Sequence, residues 1–143
     1  MNFTIDASVV VKSVVKEEGT ERALKLFDDF GRGIVDLNAP VILVYEVGNV
    51  LYRMAVKMQA ISMEYAANAY GEILNLPIRY VSLEDHELVD ALRLSVSLDL
   101  SFYDACYLGV SRKTGSKLVT ADEELIRKAG DVGEVLHINT YRL

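Results

Sequence analysis

The sequence predicts an α/β fold, in which a parallel β-sheet is covered by helices on both faces. Short apolar runs alternate along the chain with longer stretches whose apolar residues recur at helical spacing, and strands separated by helices pair in parallel. Several passages from strand to helix also carry a helix-start signal, a Ser, Thr or Asp set just before an apolar run or an acid. No repeat, low-complexity tract or Pro/Gly-rich linker interrupts the alternation, so one domain spanning residues 1–143 is expected.

The elements follow in order. Phe3-Thr4-Ile5 is a first strand, and Asp6-Ala7-Ser8 opens a helix over Val9 to Val15. Glu21 to Phe30 places apolar residues at Ala23, Leu24, Phe27 and Phe30 and stops at Gly31, a helix with a C-terminal signal. Ile34 to Leu37 is the second strand. Pro40 suits the first turn of a long helix reaching about Met58, and Ser62 opens another that ends near Pro77. Ile78 to Val81 is the third strand, after which Ser82-Leu83-Glu84-Asp85 caps a helix to about Leu98. Ser101-Phe102-Tyr103-Asp104 repeats that device for the next helix. Lys117 to Val119 is the fourth strand, Thr120-Ala121-Asp122-Glu123 a capping box, and Glu134 to Ile138 the fifth strand.

Composition narrows the chemistry. The chain is 51% apolar with a quarter of its residues charged, enough to bury a core. Cys106 is the single cysteine and only His86 and His137 accompany it, which excludes a disulfide framework and a clustered Cys/His zinc site. Any metal must therefore be held by oxygen. No apolar stretch approaches the roughly 18 residues of a membrane span, and Asp6 and Lys12 interrupt the N-terminal segment, so a cytoplasmic protein without a membrane partner is expected. A net charge of −6 argues against a general phosphate-binding surface, which leaves local basic patches or a bound metal to meet any nucleic acid.

Four acids stand apart from the rest because their neighbours are apolar. Asp6 follows Phe3-Thr4-Ile5, Glu46 lies between Val44-Tyr45 and Val47, Asp104 between Phe102-Tyr103 and Ala105-Cys106, and Asp122 follows Leu118 to Ala121. A buried lone carboxylate costs several kcal/mol unless it is paired, protonated or bound to a cation. In an open parallel sheet Asp6 and Asp122 fall just past the carboxyl ends of strands, where such sheets hold ligands, and Glu46 and Asp104 sit near the starts of helices leaving that edge. Mg²⁺ or Mn²⁺ would relieve the repulsion of such a cluster and could activate water against a phosphodiester. Ser8, Asn49 and Thr120 are placed to support the carboxylates. Arg53, Lys12 and Arg112 are candidates for contact with a substrate phosphate.

Together these pieces resemble the PIN domain family, and within it the VapC-type toxins of toxin-antitoxin pairs. The matching segments are Ile5-Asp6-Ala7-Ser8-Val9, Tyr45-Glu46-Val47-Gly48-Asn49, Tyr103-Asp104-Ala105-Cys106-Tyr107 and Val119-Thr120-Ala121-Asp122. The resemblance implies a three-layer α/β/α sandwich with a five-stranded parallel sheet ordered 3-2-1-4-5. It also implies Mg²⁺- or Mn²⁺-dependent cleavage of RNA, a homodimer, and a cognate antitoxin whose tail covers the active-site groove. Leu125 stands where an aromatic residue is frequent, a packing position away from the site.

Plainer roles exist for each residue. Asp6 and Asp122 suffice as helix N-caps, Asp104 as the acidic end of a Ser101 capping box, and Glu46 as a half-exposed helix residue. Cys106 lies on an apolar helix and is a core residue. Receiver domains share an acidic magnesium pocket but need a lysine after the last strand, and Glu134 to Leu143 holds none; aspartate-nucleophile phosphatases want a second aspartate where Ser8 stands. A non-catalytic binding module on the same fold, or a stand-alone RNA-processing nuclease, are the remaining alternatives. The aromatic and methionine content of Tyr45 to Tyr70 exceeds one helix stripe and points to an association surface.

Overall fold

The computed structural model describes residues 1–142. Its sheet has five parallel strands in the order 3-2-1-4-5. They are β1 (Asn2–Ile5), β2 (Asp36–Ala39), β3 (Arg79–Tyr80), β4 (Lys117–Thr120) and β5 (Val135–His137). The helices are α1 (Ala7–Val14), α2 (Thr20–Gly31), α3 (Ile42–Tyr52), α4 (Met63–Leu74), α5 (Asp85–Leu98), α6 (Phe102–Thr114) and α7 (Glu123–Ala129). The expected order of strands is thus borne out.

β1 lies at the centre because it is short, apolar and buried along most of its length. Phe3 pairs with Leu37 on one side, and Thr4 pairs with Leu118 on the other. Helix α6 crosses β1, β2 and β4, with α5 packed on its outer side, while α7 rests on β4 and β5. Ile5, Val9, Val10, Leu26, Leu37, Leu43, Leu108 and Leu118 form the main core, joined by the wholly buried ring of Tyr107. Among the described residues no helix is long and apolar enough to cross a membrane.

Several boundaries differ from expectation. β2 runs from Asp36 to Ala39 rather than Ile34 to Leu37, because the Ile34 N–H is taken by the Asp29 carbonyl as the chain leaves α2. The ladder instead extends through buried Asn38, whose amide donates to the Phe3 carbonyl at 3.2 Å; an apolar-run criterion passes over such a residue. The helix expected from Pro40 to Met58 is α3 followed by a π-helical turn over Arg53–Lys57, closed by Met58 N–H on the Arg53 carbonyl at 2.9 Å. The capping box before α5 is formed by Glu84 and Glu87, not Ser82, and α7 is capped by Asp122, not Thr120.

Candidate active site

From β1 the chain builds outward through β2 to β3, then returns to place β4 on the other side of β1. The connections therefore diverge between β1 and β4, and an open α/β sheet has its natural crevice at the carboxyl end of such a point. Asp6 is the residue after β1 and the N-cap of α1; Asp122 follows β4 and is the N-cap of α7. Asp104 lies in the first turn of α6, and Glu46 in the second turn of α3. All four line one crevice of about 420 Å³, together with Ser8, Lys12, Glu17, Val50 and Met54.

A hydrogen-bond web ties the two strand ends together. Asp6 Oδ1 accepts from Ser8 N at 3.1 Å, Val9 N at 3.3 Å and Ser8 Oγ at 2.5 Å, and Asp6 Oδ2 accepts from Thr120 Oγ1. Ser8 Oγ in turn accepts from Ala121 N at 2.9 Å, and Thr120 Oγ1 from Asp122 N at 3.0 Å. Asp122 Oδ1 accepts the N–H groups of Glu124 and Leu125. Ser101 Oγ accepts Asp104 N–H at 3.1 Å, but the reciprocal bond is not made, so this is no capping box and Asp104's carboxylate is left for the crevice.

Burial dominates the electrostatics. Asp6, 6% exposed, is pushed up from 3.8 to about 6 by desolvation, against the opposing hydrogen bonds of Ser8 and Thr120. Glu46 and Asp104 are half-buried, and desolvation raises both. The charges of Asp104 and Asp6 push Glu46 higher, and that of Asp122 does the same to Asp104. Asp122 itself is exposed. Glu46 Oε1 is buried without a hydrogen-bond partner; the Tyr107 hydroxyl beside it lowers the carboxyl's affinity for protons without meeting hydrogen-bond geometry. Burial next to these acids holds the Tyr107 phenol far above its ordinary range.

The carboxylates ring the crevice rather than touch. Among the described residues no three of them bring ligand atoms within 4.8 Å of one another; the trio that does is Glu84, His86 and Glu87, the histidine through a ring nitrogen. That trio is a surface feature, with Glu87 already paired to Lys113 Nζ at 2.7 Å. Asp6 is tethered in its place by Ser8 and Thr120.

Of the expected supports, Ser8 and Thr120 bond Asp6 directly. Asn49 and Arg53 are exposed and stay outside the crevice. The face that continues from Glu46 is Val50 and Met54, because α3 and the π-helical turn after it bring these two inward and leave Asn49 and Arg53 outside. Arg112 is also elsewhere: near the far end of α6, it donates to the Val132 carbonyl at 2.8 Å. Lys12 does line the crevice, although its Nζ is engaged by Glu17 Oε1 at 3.3 Å and the Glu18 carbonyl at 2.6 Å. Glu17, Val50, Met54 and Tyr107 escaped the sequence reading. Val50 and Met54 were open to it through the i+4 spacing from Glu46.

The family model described as "PIN domain" matches residues 3–131. This chain belongs to the PIN domain family. Ribonuclease VapC3 of Pyrobaculum aerophilum is 28% identical over 132 residues, which cover 90% of this chain and 95% of that protein. Exonuclease VapC9 of the same organism is 34% identical over 87 residues, 61% of this chain and 62% of that protein, so the shared stretch falls short of two thirds of its length. Two crystal structures share the fold with a TM-score of 0.69. The protein PAE2754 from Pyrobaculum aerophilum is 24% identical, with 98% of this chain and 91% of that one covered. Mycobacterium tuberculosis VapC20, described as a toxin that cleaves the sarcin-ricin loop, is 16% identical, with 92% and 95% covered.

In this PIN domain the four acids present carboxylate oxygens to the crevice. Hard divalent cations prefer such donors, and a cation there would answer the mutual repulsion of the acids. The residues available to hold it are Asp6, Glu46, Asp104 and Asp122.

Proposed function

We propose that this chain is an Mg²⁺- or Mn²⁺-dependent endoribonuclease that hydrolyses RNA phosphodiester bonds, acting as the toxin of a VapBC-type pair. The observation that supports this most is the set of four carboxylates around one crevice at the topological switch point of the sheet. A divalent cation bound there supplies charge stabilisation and a more acidic water. The chain's own part is to hold the ligands. Ser8 and Thr120 fix both oxygens of Asp6, the α7 N-terminus orients Asp122 through Oδ1, and Glu46 and Asp104 bring the remaining charge from α3 and α6. Lys12 at the crevice wall is the cation placed to meet a phosphate. The names of VapC3 and VapC20 support RNA as the substrate class and an antitoxin as a partner.

The wider reading is a single domain over residues 1–143 that works in the cytoplasm as a homodimer, with the exposed side chains of Tyr52, Met58 and Met63 as part of its contact. The test of the activity is incubation of purified protein with circular single-stranded RNA in Mg²⁺, Mn²⁺ or EDTA. Linearisation that needs the metal and is absent from Asp104→Asn is expected. An intact circle under all conditions would overturn endonucleolytic cleavage, and cutting of linear RNA alone would point to the exonuclease activity for which VapC9 is named.

A further inference from the structure

Three buried side-chain polar atoms among the described residues have no hydrogen-bond partner: Glu46 Oε1, Tyr80 Oη and Tyr107 Oη. Two of them, Glu46 Oε1 and Tyr107 Oη, belong to neighbouring side chains. Buried polar groups are nearly always satisfied, so a neighbouring donor and acceptor that are both unsatisfied mark a bond that one small adjustment completes. Tyr107 reaches this place from the core. It sits one helical turn after Asp104 on α6, its ring is 0% exposed and packed in the main core, and its hydroxyl ends at Glu46. Packing alone would be served equally by phenylalanine, which brings no polar atom to bury.

Resting on the metal-site reading above, we propose that Tyr107 is a positioning residue for Glu46, its hydroxyl donating to Oε1 so that one oxygen of the carboxylate is fixed and the other faces the crevice. Tyr107 is not a catalytic residue in this role. It touches neither substrate nor the reacting atoms, and acts through the direction of the Glu46 carboxylate. A hydrogen bond to the inner oxygen does for Glu46 what Ser8 and Thr120 do for Asp6. Each carboxylate is then oriented from below by a hydroxyl before any ligand arrives, which reduces the ordering that binding must impose.

The test is Tyr107→Phe in the full chain, which keeps the ring and removes only the hydroxyl. The probe is Mn²⁺ alone, titrated calorimetrically into metal-free protein, with Glu46→Gln and the double variant beside it. Tyr107→Phe should melt within a few degrees of the parent in EDTA yet bind Mn²⁺ about tenfold more weakly, the scale found for groups that orient metal ligands. kcat for RNA should fall in step while KM is held. In the Glu46→Gln background the same change should alter Mn²⁺ affinity less than about twofold, since uncoupled sites add and coupled ones do not. If Tyr107→Phe binds Mn²⁺ as the parent does while Glu46→Gln binds it more weakly, the positioning role is wrong and the metal-site reading stands. If Glu46→Gln also leaves Mn²⁺ binding unchanged, the metal-site reading fails with it. Equal losses on both backgrounds would make Tyr107 a general structural contributor and overturn the proposal.

Discussion

Replacing Asp6 by Asn should make the metal-free protein more stable at neutral pH while removing its function. The magnitude follows from burial. Asp6 is raised from 3.8 to about 6 in the folded protein, and at 1.36 kcal/mol per unit this is roughly 3 kcal/mol. The folded state holds the Asp6 proton more tightly than the unfolded state, so between about pH 4 and pH 6 it binds more protons, and stability falls as pH rises through that window. Below the window the group contributes nothing; above it the full deficit is present. Asn has no charge to desolvate, and its amide keeps the size and the cap oxygen that serves Ser8 and Val9. Its Nδ2 can donate to Thr120 Oγ1, which now donates to Asp6 Oδ2. The stability difference between variant and parent should therefore grow from near zero at pH 4 to about 2–3 kcal/mol at pH 7.5, or about 6–10 °C in Tm for a chain of this size. Urea unfolding in EDTA across that range measures it. A difference that is flat with pH would refute the desolvation argument, whatever its sign.

The other expectations concern activity and assembly. Glu46→Gln, Asp104→Asn and Asp122→Asn should each lower metal-dependent RNA cleavage about 100-fold or more, since the cation's charge stabilisation is worth several kcal/mol, whereas Asp28→Asn, at an exposed pair with Arg32, should cleave at the parent rate. Glu17→Gln releases Lys12 from its ion pair and should tighten RNA binding about twofold to fivefold at low salt, the worth of a surface pair, with the gain lost at high salt. Sedimentation at micromolar concentration should show a dimer that Tyr52→Glu with Met63→Glu converts to monomer, because these two exposed side chains line one shallow apolar cleft. A parent protein that sediments as a monomer would remove that surface from the account.

Much of the framework was readable because capping residues and strand ends are local features. Asp6 and Ser8 announce both the end of β1 and the start of α1, and Ser62 and Ser101 are N-caps as their spacing suggests. The supports of Asp6 were readable for the same reason, since Ser8 and Thr120 each lie two residues from a strand-end acid. What could not be read is set by packing. Asn49 and Val50 are equally good neighbours of Glu46 on an isolated helix, and only the seating of α3 against α1 decides that Val50 turns inward. Arg112 has the right charge, but α6 carries it away from the carboxyl edge along its full length. Tyr107 gives no local sign of its role, because a tyrosine amid Ala105, Cys106 and Leu108 looks like any core aromatic until a second element brings Glu46 to its hydroxyl. The extra register of the π-helical turn after Tyr52 was hidden for a related reason, as its sequence is compatible with ordinary helix.

The structure also removes a choice that the sequence posed. Asp6 and Asp122 could be read either as helix caps or as members of an acidic site, and the geometry makes the two roles compatible. A cap needs one carboxylate oxygen. In both residues the N–H groups at the helix start converge on Oδ1 alone, and in Asp122 no described residue bonds Oδ2. Capping does more than coexist with the site, because it sets the direction of the other oxygen: the first turn of α1 or α7 pins one side of the carboxylate, while Thr120 holds the second oxygen of Asp6 and that of Asp122 has no partner among the described residues. The partial positive charge of the α1 N-terminus further favours the ionised form of Asp6. Desolvation nevertheless wins at Asp6, which is why its pKa rises despite a full set of donors, while Asp122 is exposed. The same local rule that starts two helices thus delivers two oriented oxygens to one edge of the sheet, at an energetic cost that falls on the buried Asp6.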